Sequence, residues 1–243
     1  MNRTRAGILW LSIAIALVAA GGSAGYAQAA TVTAQVVVVQ TTGSKHQNSE
    51  AVVWLSPLQP EPYSFGETSP QSVRLVQRDK TFEPHLLVVR TGSVVQFPNQ
   101  DPFFHNVFSL FDGKRFDLGL YEAGSTRSVR FDRPGISYIF CNIHPQMSAI
   151  VIALDTPYYA VSHRSGTIAI SSVPPGRYIL QVWREGSSPK VLNALRREVV
   201  IGEGDTALGA LRIAEDEIPV AHKNKYGRDY EDPQPANPVY PQP

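Results

Sequence analysis

The chain has 243 residues, with 22 lysines and arginines against 21 aspartates and glutamates and a net charge of +1. So even a balance leaves no strong field to draw it to nucleic acid or to an anionic lipid surface. Nineteen prolines, eighteen glycines and repeated valine runs point to an all-β protein, and a lone cysteine, Cys141, excludes an internal disulfide.

The N-terminus reads as an export signal. Arg3 and Arg5 precede an apolar core from Gly7 to Ala20, which is short against the ~20 residues of a membrane span. Ala27-Gln28-Ala29 supplies the small-x-small pattern of a cleavage site. Residues 1–29 are therefore expected to be a cleaved signal peptide, the alternative being an uncleaved anchor. No other part of the sequence suggests a membrane.

Strand-like runs then follow in order. TVTAQVVVVQ (31–40) and AVVWLS (51–56) come first, and the proline-rich PLQPEPYSFGETSPQ (57–71) reads as a linker. SVRLVQ (72–77), HLLVVR (85–90), SVVQFPN (93–99), HNVFSLF (105–111), TRSVRFD (126–132), ISYIFCN (136–142) and SAIVIALD (148–155) form a second group. TIAISSV (167–173), RYILQVWRE (177–185) and ALGALRIA (207–214) form a third. VLNALRREVVIG (191–202) is ambiguous between a helical turn and a strand, and strand is the expectation. Alternating apolar residues between Gly, Pro and Asn turns argue for β-sandwiches rather than a parallel sheet with helices. The tail, 214–243, carries many prolines and little to bury, so disorder or extension is expected.

One stretch carries chemistry. FCNIHPQM (140–147) holds the only cysteine and the only methionine besides Met1, around a histidine. In an exported protein, an unpaired cysteine is a buried inert thiol, an intermolecular bridge or a metal ligand. Copper that exchanges one electron favours two imidazoles, a thiolate and a weak axial thioether. Cys141, His144 and Met147 offer three of these from one tight loop, and His105, opening a strand after FPNQDPFF, is the natural second imidazole. Structural zinc is a weaker competitor, because it avoids thioether. His85 is expected to be structural, while His46, His163 and His222 fall in turns or the tail. No nucleophile elbow, zinc-protease helix or phosphate loop occurs, and the acidic residues are scattered.

The pairing of FPNQDPFFHNVFS with YIFCNIHPQM resembles the cupredoxins, the blue-copper electron carriers, and the short Cys-to-Met loop is similar to that of amicyanin. FEPHLLVVRTGSVVQFPN resembles the strand, turn and strand that lead to their first copper histidine. The resemblance implies a Greek-key cupredoxin domain over residues 72–155 that binds one copper ion through His105, Cys141, His144 and Met147. It implies that Asn106 ties the first-histidine loop to the cysteine loop, and that Pro102, Phe103, Phe104 and Pro145 form an apolar collar for docking. Redox proteins such as c-type cytochromes or a periplasmic oxidoreductase would then be the partners, and the periplasm the compartment. Copper delivery with the same residues, or a metal-free scaffold, are the alternatives. An enzyme is not expected.

GTIAISSVPPGRYILQVWREG (166–186) resembles transthyretin-like, carboxypeptidase-regulatory β-sandwich modules. Pro174-Pro175-Gly176 forces a turn, Tyr178, Leu180 and Val182 alternate toward a core, and Trp183 faces the other way, toward a domain interface or solvent. Residues 31–56 fit the opening strands of such a module, so 31–56 and 157–213 are expected to form one discontinuous sandwich interrupted by the copper domain. Alternatively, 31–56 are the first cupredoxin strands.

Overall fold

The computed structural model describes residues 29–39, 50–59, 73–110, 113–214 and 224–229. The expected signal up to residue 28, most of the 57–71 linker and most of the tail lie outside the described residues.

Strands β1 (Ala30–Val39) and β2 (Ala51–Pro57) come first. The middle of the chain supplies β3 (Val73–Arg74), β4 (Val76–Arg78), β5 (Thr81–Glu83), β6 (Leu86–Arg90), β7 (Val94–Pro98), β8 (His105–Ser109), β9 (Phe116–Tyr121), β10 (Thr126–Arg130), β11 (Gly135–Phe140) and β12 (Ser148–Leu154). Then come β13 (Tyr159–Val161), β14 (Thr167–Val173), β15 (Gly176–Arg184), helix α1 (Pro189–Leu195), β16 (Arg197–Ile201) and β17 (Thr206–Ala214). The fold is all-β, with one short helix among the described residues.

The middle strands pair only with each other, as β6-β12-β11-β8-β9, β10-β7-β3 and the hairpin β4-β5. The outer strands do likewise, as β14-β1-β17 and β13-β2-β15-β16. Strands from before and after the middle segment thus share two sheets. Their core is built from alternate residues, including Val53 and Leu55 of β2, Ile168 and Ile170 of β14, and Tyr178, Leu180 and Val182 of β15. The Tyr178 hydroxyl donates to the Pro174 carbonyl at 2.8 Å and so closes the Pro-Pro-Gly turn.

β12 explains how the two halves meet. Successive side chains point to opposite faces, so Ala149, Val151 and Ala153 enter the middle core beside Val107, Cys141 and Met147. Ile150, Ile152 and Leu154 face the other way, against Val52 and Trp183. Both faces are covered, which is why SAIVIAL is a continuous apolar run rather than an alternating one. Trp183 therefore lies at the interface, and its indole also hydrogen-bonds the Tyr138 hydroxyl.

Several local readings change. Residues 191–195 are helical, because the Ser188 hydroxyl caps the Val191 amide at 3.3 Å and a proline stands at the first turn. β9 escapes the strand pattern because FDLGLY carries Gly119 at a φ of +67°, and Asp117 and Gly119 break the alternation. SVRLVQ divides into β3 and β4 around buried Leu75. Within the tail, Asn224–Asp229 are not extended: the Asn224 side chain accepts the amides of Tyr226 and Arg228 at 3.0 and 3.1 Å, forming a turn.

Candidate metal centre

His105 is the first residue of β8, and the loop before it is pinned by Asn99. The Asn99 Oδ1 accepts the Asp101 amide at 3.0 Å while Nδ2 donates to the Phe103 carbonyl at 2.7 Å. Cys141 follows β11 and Met147 precedes β12. The register of these strands runs to Phe140 opposite Ser148. The Cys141 amide then donates to the Met147 carbonyl at 3.3 Å, and the Met147 amide to the His144 carbonyl at 3.0 Å. This tight closure puts His144 at the tip, folded back toward β8.

Three donors converge. His105 Nδ1 and His144 Nδ1 are 3.1 Å apart, and each lies 3.6 Å from Cys141 Sγ. Metal–nitrogen bonds of about 2.0 Å and metal–sulfur bonds of about 2.3 Å would place the donors of a trigonal set about 3.5 to 3.7 Å apart. The triangle needs to open by only a few tenths of an ångström along one edge to take an ion. Met147 is wholly buried in the same core cluster as Cys141. The Phe103 ring closes another side, with its centroid 5.2 Å from that of His105 and 5.6 Å from that of His144. Two imidazole nitrogens and a thiol sulfur in one triangle suit a copper-binding centre.

Asp101 organises the buried histidine. Its Oδ2 lies 2.7 Å from His105 Nε2. The same carboxylate accepts the amides of Asp79 at 2.7 Å and Lys80 at 3.1 Å. Those two residues form the β4–β5 turn and both have positive φ, +52° and +54°, an uncommon conformation for side chains other than glycine. Burial opposes the charge on Asp101, but the His105 ring and the two amides outweigh it and hold the carboxyl below its ordinary range. An acceptor at Nε2 puts the ring proton there and leaves the Nδ1 lone pair facing Sγ and His144.

The other donors are tuned by burial. Desolvation raises the Cys141 thiol above its ordinary pKa, against the amides of Asn106, Ile143 and His144, which lower it. His144 is lowered, first by desolvation and then by the charges of His105 and Lys80. The metal-free centre is thus a neutral thiol and a readily deprotonated imidazole at physiological pH.

The main-chain amide of Asn106 reaches the Cys141 sulfur, and its side chain donates to Asp117 Oδ1 on β9 at 2.7 Å. Asp117 is a residue the resemblance gave no reason to consider. Around His144 lie Pro102, Pro145 and Phe104, all exposed. Ile143, next to His144 in the chain, is 45% exposed. Lys80 Nζ sits 5.5 Å from the Phe103 ring. His85 stays away from the centre and contacts Glu185 at 2.9 Å, and among the described residues no other such cluster occurs. His46 and His222 lie outside the described residues.

Asp101 was visible in sequence only as an acid four residues before the candidate first histidine. Asp117 had no sequence signal, since nothing local brings it to Asn106.

No protein-family model matches the chain, and no curated protein matches it. Among solved structures, it is similar to a purple cupredoxin from Nitrosopumilus maritimus, with 20% identity over 34% of this chain and 100% of that one, at a TM-score of 0.32. A Cu-containing nitrite reductase from Thermus scotoductus matches with 20% identity over 50% of this chain but 28% of its own, at 0.35. A mutant amicyanin in the Cu(I) state matches with 18% identity over 42% and 98%, at 0.33.

Proposed function

We propose that the protein is exported, binds one copper ion and carries single electrons between redox proteins. The convergence of His105 Nδ1, His144 Nδ1 and Cys141 Sγ, with donors 3.1 to 3.6 Å apart, carries this reading. Copper bound there would supply a reversible one-electron change between Cu(I) and Cu(II).

The chain's own residues set the conditions. His105 opens β8, Cys141 follows β11 and Met147 precedes β12, so three of the four candidate ligands are anchored in one five-stranded sheet. Asp101 holds the His105 ring in place. His105 and Cys141 are fully buried and the Phe103 ring packs on both histidines, an enclosure that favours a carrier over a catalyst. Anchored donors change position little between oxidation states, so transfer costs little reorganisation.

His144 is the partly exposed donor and supplies the route to the surface. Ile143 and Pro145 beside it in the chain, with Pro102 and Phe104 flanking the Phe103 ring that packs on it, offer exposed apolar surface, suited to a c-type cytochrome or a periplasmic oxidoreductase. The outer strands form, in this proposal, one transthyretin-like module, split by insertion of the copper domain, that presents this face in a fixed orientation.

The test is the visible spectrum of the protein after Cu(II) addition and removal of excess metal, beside Cys141→Ser. An intense thiolate-to-copper band, lost in the variant, supports the centre; a colourless protein without stoichiometric copper overturns it. Retention of copper through repeated reduction and oxidation supports a carrier, whereas release of Cu(I) to an acceptor protein identifies delivery instead.

A further inference from the structure

The segment Asn224–Asp229 is separated from the last strand in sequence, yet it meets the cysteine loop and β9, the strand paired with the His105 strand. The Lys225 amide donates to Asn142 Oδ1 at 3.0 Å. The Lys225 ammonium lies 2.9 Å from Asp117 Oδ2. Asp117 Oδ1 accepts from the Asn106 side chain, and the Asn106 amide reaches Cys141 Sγ.

Asn142 directly follows Cys141, and Asn106 directly follows His105. The bonds therefore close a ring that runs from the cysteine loop through Lys225 and Asp117 to the first-histidine strand and back to the sulfur. One lysine, using its amide and its side chain, bridges the two. The turn that presents it is knotted on Asn224, whose carbonyl also accepts the Gly227 amide at 2.9 Å and whose amide donates to the Arg228 carbonyl at 2.8 Å. Gly227 has a φ of +76°, a conformation that suits glycine at this closure.

We infer that the C-terminal turn Asn224–Asp229 is a latch on the metal centre, and that Lys225 is a positioning residue that fixes the spacing between the His105 strand and the Cys141 loop. This rests on the copper reading for its consequence, though not for the latch itself. The Asn106 side chain is engaged with Asp117, and the latch adds a polar link between the cysteine loop and the first-histidine strand beyond the Cys141–His105 contact. The turn contributes no side chain to the cores among the described residues, and Tyr226 is 71% exposed, so loosening it leaves the sandwich intact.

The experiment compares full-length protein with Lys225→Met, Lys225→Arg and Asn142→Ala. In metal-free protein, amide hydrogen exchange is read over Asn142–Met147. In loaded protein, copper affinity is read by chelator competition and the site by its absorption spectrum. The latch predicts that Lys225→Met raises loop exchange about two- to fivefold, as loss of a half-exposed ion pair should. It predicts that copper affinity falls up to about tenfold, the lower limit for partners of metal ligands. Asn142→Ala should do the same and Lys225→Arg should restore both values. Unchanged exchange overturns the latch, and so does faster exchange with unchanged copper affinity. If the wild-type protein takes no copper, the copper reading falls and exchange alone decides the latch, with an increase supporting it and no change overturning it.

Discussion

Replacing Asp101 by asparagine should separate the two duties of this buried carboxylate. In the wild type it accepts three hydrogen bonds, from His105 Nε2 and from the amides of Asp79 and Lys80. An asparagine has one acceptor oxygen and one donor nitrogen in the same space, so at least one of these donors must face another donor. A buried donor left unmatched costs about 1 to 3 kcal/mol, and a second weakened turn bond adds about 1 kcal/mol. The metal-free protein should therefore lose about 2 to 4 kcal/mol of stability, read by urea unfolding. If the amide nitrogen faces Nε2, the ring proton moves to Nδ1 and points into the donor triangle. Copper then has to displace that proton, and affinity should fall about 10- to 100-fold, the usual effect of losing a ligand's hydrogen-bond partner. Competitive copper titration with nitrogen-15 NMR of the His105 tautomer would check both steps. A destabilised variant with unchanged copper affinity would refute the tautomer reasoning and leave Asp101 as a clamp on the β4–β5 turn alone.

Met147→Leu nearly conserves volume and should cost less than about 1.5 kcal/mol. It should keep the copper–thiolate band while raising the reduction potential, whereas an unchanged potential would make Met147 packing only. Copper uptake at neutral pH should release about one proton per ion, from the Cys141 thiol whose pKa burial has raised. A second, from His144, should join only as the pH drops through its lowered pKa, and a pH-indicator titration would count them. Trp183→Ala should cost about 3 to 5 kcal/mol and split a single thermal transition into two if the interface couples the sandwiches. The Glu185 contact, opposed by desolvation, raises the pKa of His85. Its stabilisation is therefore full below about pH 6.5 and lost as pH rises through the folded value. Both groups are partly exposed, so the effect is under about 1 kcal/mol, and Glu185→Gln should flatten that part of the Tm-versus-pH curve.

The all-β fold was legible in the sequence because period-two alternation and turn residues are local signals. So was the triad of His105, Cys141 and His144, since two donors share one loop and the sulfur content is low enough to make their clustering informative. FDLGLY was not legible as a strand, because an edge strand held by one neighbour tolerates a glycine and an aspartate that spoil the pattern. The 191–195 helix was missed because its signal is a single serine cap before a proline, outweighed by the β-rich residues after it. Asp117 and Lys225 meet across a sequence separation of 108 residues, and no spacing rule in a single sequence reports such a pair. The Asn106 side chain likewise bonds Asp117 on the neighbouring strand, a pairing that no local pattern reports.

The two-sided burial of β12 gives the molecule a natural separation of controls. Substitutions at Ile150, Ile152 and Leu154 act on how the sandwiches grip each other, while those at Ala149, Val151 and Ala153 act on the wall behind the metal donors. The two sets alternate along one strand yet share no face. An engineer could therefore retune how the middle sheets sit against the outer ones by rewriting every second residue of β12, leaving the face turned to Cys141 and Met147 untouched.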